Sequence, residues 1–63
     1  MATKKEIMDS IITWDVITND ENGNPIECVE VTFPDRIIDV NMDTREVNIG
    51  LIVKKILEDD LYK

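Results

Sequence analysis

Residues 26–33 read Ile26-Glu27-Cys28-Val29-Glu30-Val31-Thr32-Phe33, and from Val29 onward apolar and polar side chains alternate one by one. A period of two places Val29, Val31 and Phe33 on one side of an extended chain and Cys28, Glu30 and Thr32 on the other. This is the pattern of a strand with one buried and one wet face, and the neighbouring segments are read against it.

Upstream, Asn19-Asp20-Glu21-Asn22-Gly23-Asn24-Pro25 is a loop. Asn-Gly tolerates positive φ, and Pro25 cannot donate within a ladder. Before it, Ile12 to Thr18 alternates and is rich in β-branched and aromatic residues, so the two runs form an antiparallel hairpin. Downstream, Pro34-Asp35 ends the strand, and Arg36 to Met42 alternates again with Ile38, Val40 and Met42 on one face.

The flanks are helical. Thr3-Lys4-Lys5-Glu6 has the form of a capping box, and Ile7, Met8, Ile11 and Ile12 follow at helical spacing, with the switch to strand near Ile11 to Thr13. Ile49, Ile52, Val53, Ile56, Leu57 and Leu61 form the apolar stripe of a second helix. Residues 46–49 admit two readings: a short fourth strand, Val47-Asn48-Ile49, after a turn at Asp43-Thr44, or a helix capped by Asn48. Gly50 weakens a helix interior by about 1 kcal/mol, which favours the strand with the helix starting just after it. The expected fold is α+β, one domain over residues 1–63: a small antiparallel meander of three or four strands, with an N-terminal and a C-terminal helix packed on one face. The face carrying Trp14, Val16, Val29, Val31, Phe33, Ile38, Val40 and Met42 meets the helices. Thr13, Asp15, Ile17, Cys28, Glu30, Thr32, Ile37, Asp39 and Asn41 form the open face.

Composition bounds the chemistry. Fourteen acidic residues stand against seven basic ones, with no histidine, one cysteine and a formal net charge of -7. Without histidine, any general base must be a carboxylate or lysine shifted by burial or crowding. Cys28 lies near Glu27 and Glu30, and negative charge raises a thiol pKa, the opposite of activation. No disulfide, zinc cluster or phosphate-cradling glycine loop is encoded. Thr18 to Val29 can be aligned with a calcium loop, but Thr18 and Val29 occupy the two positions that need the strongest ligands. The expectation is a non-enzymatic chain with no catalytic residues, cofactor or metal. A single free thiol and the absence of a leader or membrane-spanning run suit the cytoplasm. Phosphates and anionic lipid surfaces repel such a chain, so neither nucleic acid nor membrane is an expected direct partner.

Two acidic features remain. Asp15, Glu30 and Asp39 share the open face with Ile17 and Ile37, a mixed acidic and apolar surface. Glu58, Asp59 and Asp60 close the second helix, where the macrodipole disfavours negative charge; Lys54/Glu58 and Lys55/Asp59 offset this as i,i+4 pairs. These eight residues are the candidate partner-binding set. In size and charge alone the chain resembles small phage or mobile-element proteins that inhibit host enzymes. The expected function is an inhibitor or regulator that docks a basic surface of a larger protein, with DNA mimicry as a sharper form. The alternative is a structural or assembly protein acting as a homo-oligomer. A homodimer is expected through a strand edge such as Val47-Asn48-Ile49 or through the open face.

Overall fold

The computed structural model describes residues 2–62. Helix α1 spans Lys4–Ser10, strands β1, β2 and β3 span Thr13–Asn19, Pro25–Phe33 and Arg36–Asn41, a single 3-10 turn covers Thr44–Glu46, and helix α2 spans Ile49–Glu58. The strands form one antiparallel sheet in the order β1-β2-β3, so the alternating segment 26–33 is the central strand. The α+β meander with one helix at each end is therefore the fold, with three strands.

Local chemistry accounts for the boundaries. The Thr3 hydroxyl accepts from the Glu6 amide at 3.1 Å, and the Glu6 carboxylate accepts from the Thr3 amide at 3.4 Å, completing the capping box. In the β1–β2 loop, Asp20 Oδ1 accepts from the amides of Asn22 and Asn24, both at 2.9 Å, while Gly23 takes up φ 82°. That conformation suits glycine and closes the hairpin over a register shift between Ile17 and Asn19. Pro34-Asp35 joins β2 to β3, with Phe33 facing Arg36 across the turn.

The core is one-sided. Ile7 from α1, Ile52, Val53 and Ile56 from α2, and Val29, Val31, Phe33, Ile38 and Val40 from the sheet are all buried. Trp14 and Met42 pack against this cluster, as do Leu61 and Tyr62 beyond α2. The Tyr62 ring lies 5.1 Å from Phe33, tilted by 57°, and the Arg36 guanidinium sits 4.5 Å over it. An aromatic pair and a cation–π contact thus hold Tyr62 against the sheet.

Five expectations are corrected. There is no fourth strand at 47–49. Asn48 caps α2, its side-chain oxygen accepting from the Leu51 amide at 3.0 Å, and Val47 packs on the core just before the cap. Gly50 lies in the first turn of α2, where a Cβ would come within a tight 3.3 Å of that capping oxygen, and it marks no strand end. The homodimer edge expected at 47–49 therefore does not exist, and the sheet's free edges belong to β1 and β3. Leu57 is 40% exposed, outside the buried stripe of Ile52, Val53 and Ile56, and Ile12 is 64% exposed because α1 ends before it.

The last turn of α2 closes in a Schellman arrangement. The Leu61 amide donates to the Ile56 carbonyl at 3.0 Å and the Asp60 amide to the Leu57 carbonyl at 3.3 Å, with Asp60 at φ 52°.

These placements separate two adjacent residues of α2. Ile56→Ala should cost about 2–5 kcal/mol, whereas Leu57→Ala should cost less than about 1.5 kcal/mol. Denaturant unfolding of both variants measures the difference, and a Leu57 variant as damaged as the Ile56 variant contradicts the packing.

Candidate protein-interaction surface

Strand register builds the open face as a grid. Thr13, Thr32 and Ile37 lie side by side in one row, Asp15, Glu30 and Asp39 in the next, and Ile17, Cys28 and Asn41 in the third. Pairing on both sides of β2 makes the middle row three directly opposed carboxylates. Strands lie about 4.8 Å apart, so the row spans about 10 Å from Asp15 to Asp39.

No lysine or arginine stands in the grid. Four basic residues outside it are engaged in local pairs: Lys5 with Asp9 at 3.5 Å, Arg45 with Asp43 at 3.0 Å, Lys54 with Glu58 at 3.8 Å and Lys55 with Asp59 at 3.7 Å. Among the described residues, none of Asp15, Glu30 and Asp39 forms an ion pair. Like charges directly opposite one another oppose pairing. At about 5 Å in water each adjacent pair repels by up to about 0.8 kcal/mol, and salt reduces this. The row is thus a local liability to the sheet that carries it.

Apolar atoms border the row. Ile37 is 60% exposed, and Ile17 and Cys28 are half-buried. The Cys28 thiol is pushed above its ordinary pKa, first by burial and then by the charges of Asp39 and Glu30. Asp39 acts across the β2–β3 ladder, where the sequence pointed to Glu27. A thiol held protonated is a weak nucleophile, the opposite of an activated cysteine.

The second acidic feature lies elsewhere. Helix α2 packs on the core face, so Glu58, Asp59 and Asp60 are on the opposite side of the sheet from the carboxylate row. Glu58 and Asp59 are already engaged by Lys54 and Lys55. The structure unites Asp15, Ile17, Glu30, Ile37 and Asp39 on one surface and leaves the helical trio apart from it. Two carboxylates outside the candidate set organise the turns. Asp20 holds the hairpin loop, and Asp43 caps the 3-10 turn by accepting from the Arg45 amide at 2.9 Å and its guanidinium at 3.1 and 3.0 Å. Among the described residues no group of three or more Cys, Asp or Glu is arranged to hold a metal ion. No helix among them is long and apolar enough to cross a membrane.

No family model matches this sequence, and neither a curated protein nor a solved structure matches it.

The turn carboxylates carry a pH signature. Hydrogen bonding, chiefly from the Asn24 amide, lowers the Asp20 pKa, and the Arg45 side chain lowers that of Asp43, each from an ordinary value of 3.8. A folded-state pKa below the unfolded one adds stability above the unfolded value, and that stability is lost as pH falls through the folded value. An Asp20→Asn, Asp43→Asn double variant should be less stable than wild type at neutral pH. The gap should close as pH drops from about 5 toward 2. Urea unfolding across that range is the check, and a gap that stays constant contradicts these roles.

Proposed function

We propose that the protein is a non-enzymatic interaction module that acts as an inhibitor or regulator, docking its open sheet face on a basic surface of a larger protein. The observation that carries this reading is the row Asp15-Glu30-Asp39, three opposed carboxylates that form no ion pair among the described residues, on a face whose strand residues include no lysine or arginine. Exposed Ile37 and half-buried Ile17 beside the row supply the apolar component that protein interfaces combine with a charged rim. The single thiol suits action in a reducing compartment such as the cytoplasm.

DNA mimicry is the sharper form of the same proposal. B-form DNA carries a charge about every 1.7 Å along its axis, or about six over the span of this row. Three carboxylates supply half that density, which favours a basic protein surface in general over a nucleic-acid-binding cleft in particular. A competing reading is self-association into a homo-oligomer, supported by the exposure of Ile37 and by the two free strand edges. The net charge of -7 opposes it at low salt.

Wild type and an Asp15→Lys, Glu30→Lys, Asp39→Lys variant used as paired baits in a host lysate give the test, followed by binding kinetics on any protein retained by wild type. The variant should keep its fold and slow association by at least about tenfold. Raising salt from about 0.05 to 0.5 M shortens the Debye length about threefold and should weaken wild-type binding in parallel. Self-association behaves oppositely, since salt screens the repulsion between copies. Equal retention of the partner by both baits contradicts the proposal.

A further inference from the structure

We infer that the outer edge of β1 receives an extended segment of the partner that alternates basic and apolar residues, adding a fourth strand to the sheet. The inference rests on the open face being the working surface and specifies how a partner engages it.

Three observations converge on this edge. First, β1 has a neighbour on one side only, and its segment Thr13–Asn19 contains neither lysine nor proline. Those residues commonly protect a sheet edge from further pairing. Five of its seven residues are exposed, and the register is regular from Thr13 to Ile17.

Second, the core side of β1 is incompletely covered. Trp14 and Val16 lie beside Val31 and Val29, which are fully buried, yet Trp14 is only half-buried and Val16 is 43% exposed. The other edge differs. Ile38 and Val40 of β3 are buried, and β3 begins with Arg36, whose charge opposes a cationic segment.

Third, the carboxylate row ends at this edge in Asp15. A strand paired with β1 places one side chain opposite Asp15 on the open face and the two flanking side chains opposite Trp14 and Val16 on the other. Lysine or arginine opposite Asp15 answers its charge, and apolar residues on either side cover Trp14 and Val16. Backbone hydrogen bonds then supply affinity, and the alternating side chains supply specificity. A second copy of this chain fits poorly, because it brings another charge of -7 and its strands carry carboxylates along the same row.

The test titrates the isotopically labelled full chain with a short capped peptide alternating lysine and valine. A control peptide has the same composition with its lysines grouped together. Amides of residues 13–17 should shift and gain exchange protection with the alternating peptide, while those of residues 36–41 remain unchanged. The alternating peptide should bind about tenfold more tightly than the grouped one. Asp15→Lys, which relieves repulsion in the row and keeps the fold, should reduce that affinity about tenfold and transfer the preference to a peptide alternating glutamate and valine. Protection confined to β3, or equal binding of the two lysine peptides, overturns the edge inference. If Asp39→Lys weakens binding as much as Asp15→Lys and no β1 amide is protected, the edge inference falls while open-face docking stands. If neither reversal weakens binding, both fall.

Discussion

Three strands and two short helices must bury enough apolar surface to hold 63 residues together, and they do so on one side of the sheet only. Val29, Val31 and Val40 are closed off by Ile7, Ile52, Val53 and Ile56, and the rest of the architecture follows from that contact. A domain of this size buries only about 60% of the surface its unfolded chain exposes, and its single cysteine forms no disulfide. The helices must therefore stay on the core face. The capping box at Thr3, the Asn48 cap and the Schellman closure at Asp60 each satisfy terminal backbone groups that a short helix would otherwise leave to water.

The same constraint leaves the second face free of packing duties. An antiparallel sheet tolerates a wet face, so the residues there answer to solvent and to whatever binds. The chain fills its middle row with three carboxylates while its helices and turns carry most of the cations, several in short-range pairs. A mixed surface with alternating signs would hold the sheet together better. Placing three like charges side by side costs some stability, because no basic neighbour on that face offsets their repulsion, whereas the charges of the helices and turns are largely compensated in local pairs.

Much of this was legible because its physics is local. Period-two alternation assigned each strand residue to its face, and short connections made the strands antiparallel neighbours, so the grid holding Asp15, Glu30 and Asp39 followed. What escaped depends on distance or clearance. Gly50 read as a helix breaker, but it lies in the first turn of α2, where a Cβ would come tightly against the Asn48 cap. Leu57 fits the helical stripe by spacing, yet it lies at the margin that α1 and the sheet fail to cover. Cys28 is affected by Asp39 through strand pairing, which adjacency in the chain does not reveal. Tyr62, between Phe33 and Arg36, belongs to no periodic pattern at all.

Like-charge repulsion sets the carboxylate row against the sheet that carries it. Glu30, flanked on both sides by like charge, is the residue where this shows most directly. Replacing it by lysine exchanges two repulsive cross-strand neighbours for two attractive ones. Equilibrium urea unfolding of Glu30→Lys at low ionic strength should show a gain of roughly 0.5–2 kcal/mol that shrinks as salt is added. A variant no more stable than wild type, or a gain indifferent to salt, would mean that the row is an ordinary solvated surface.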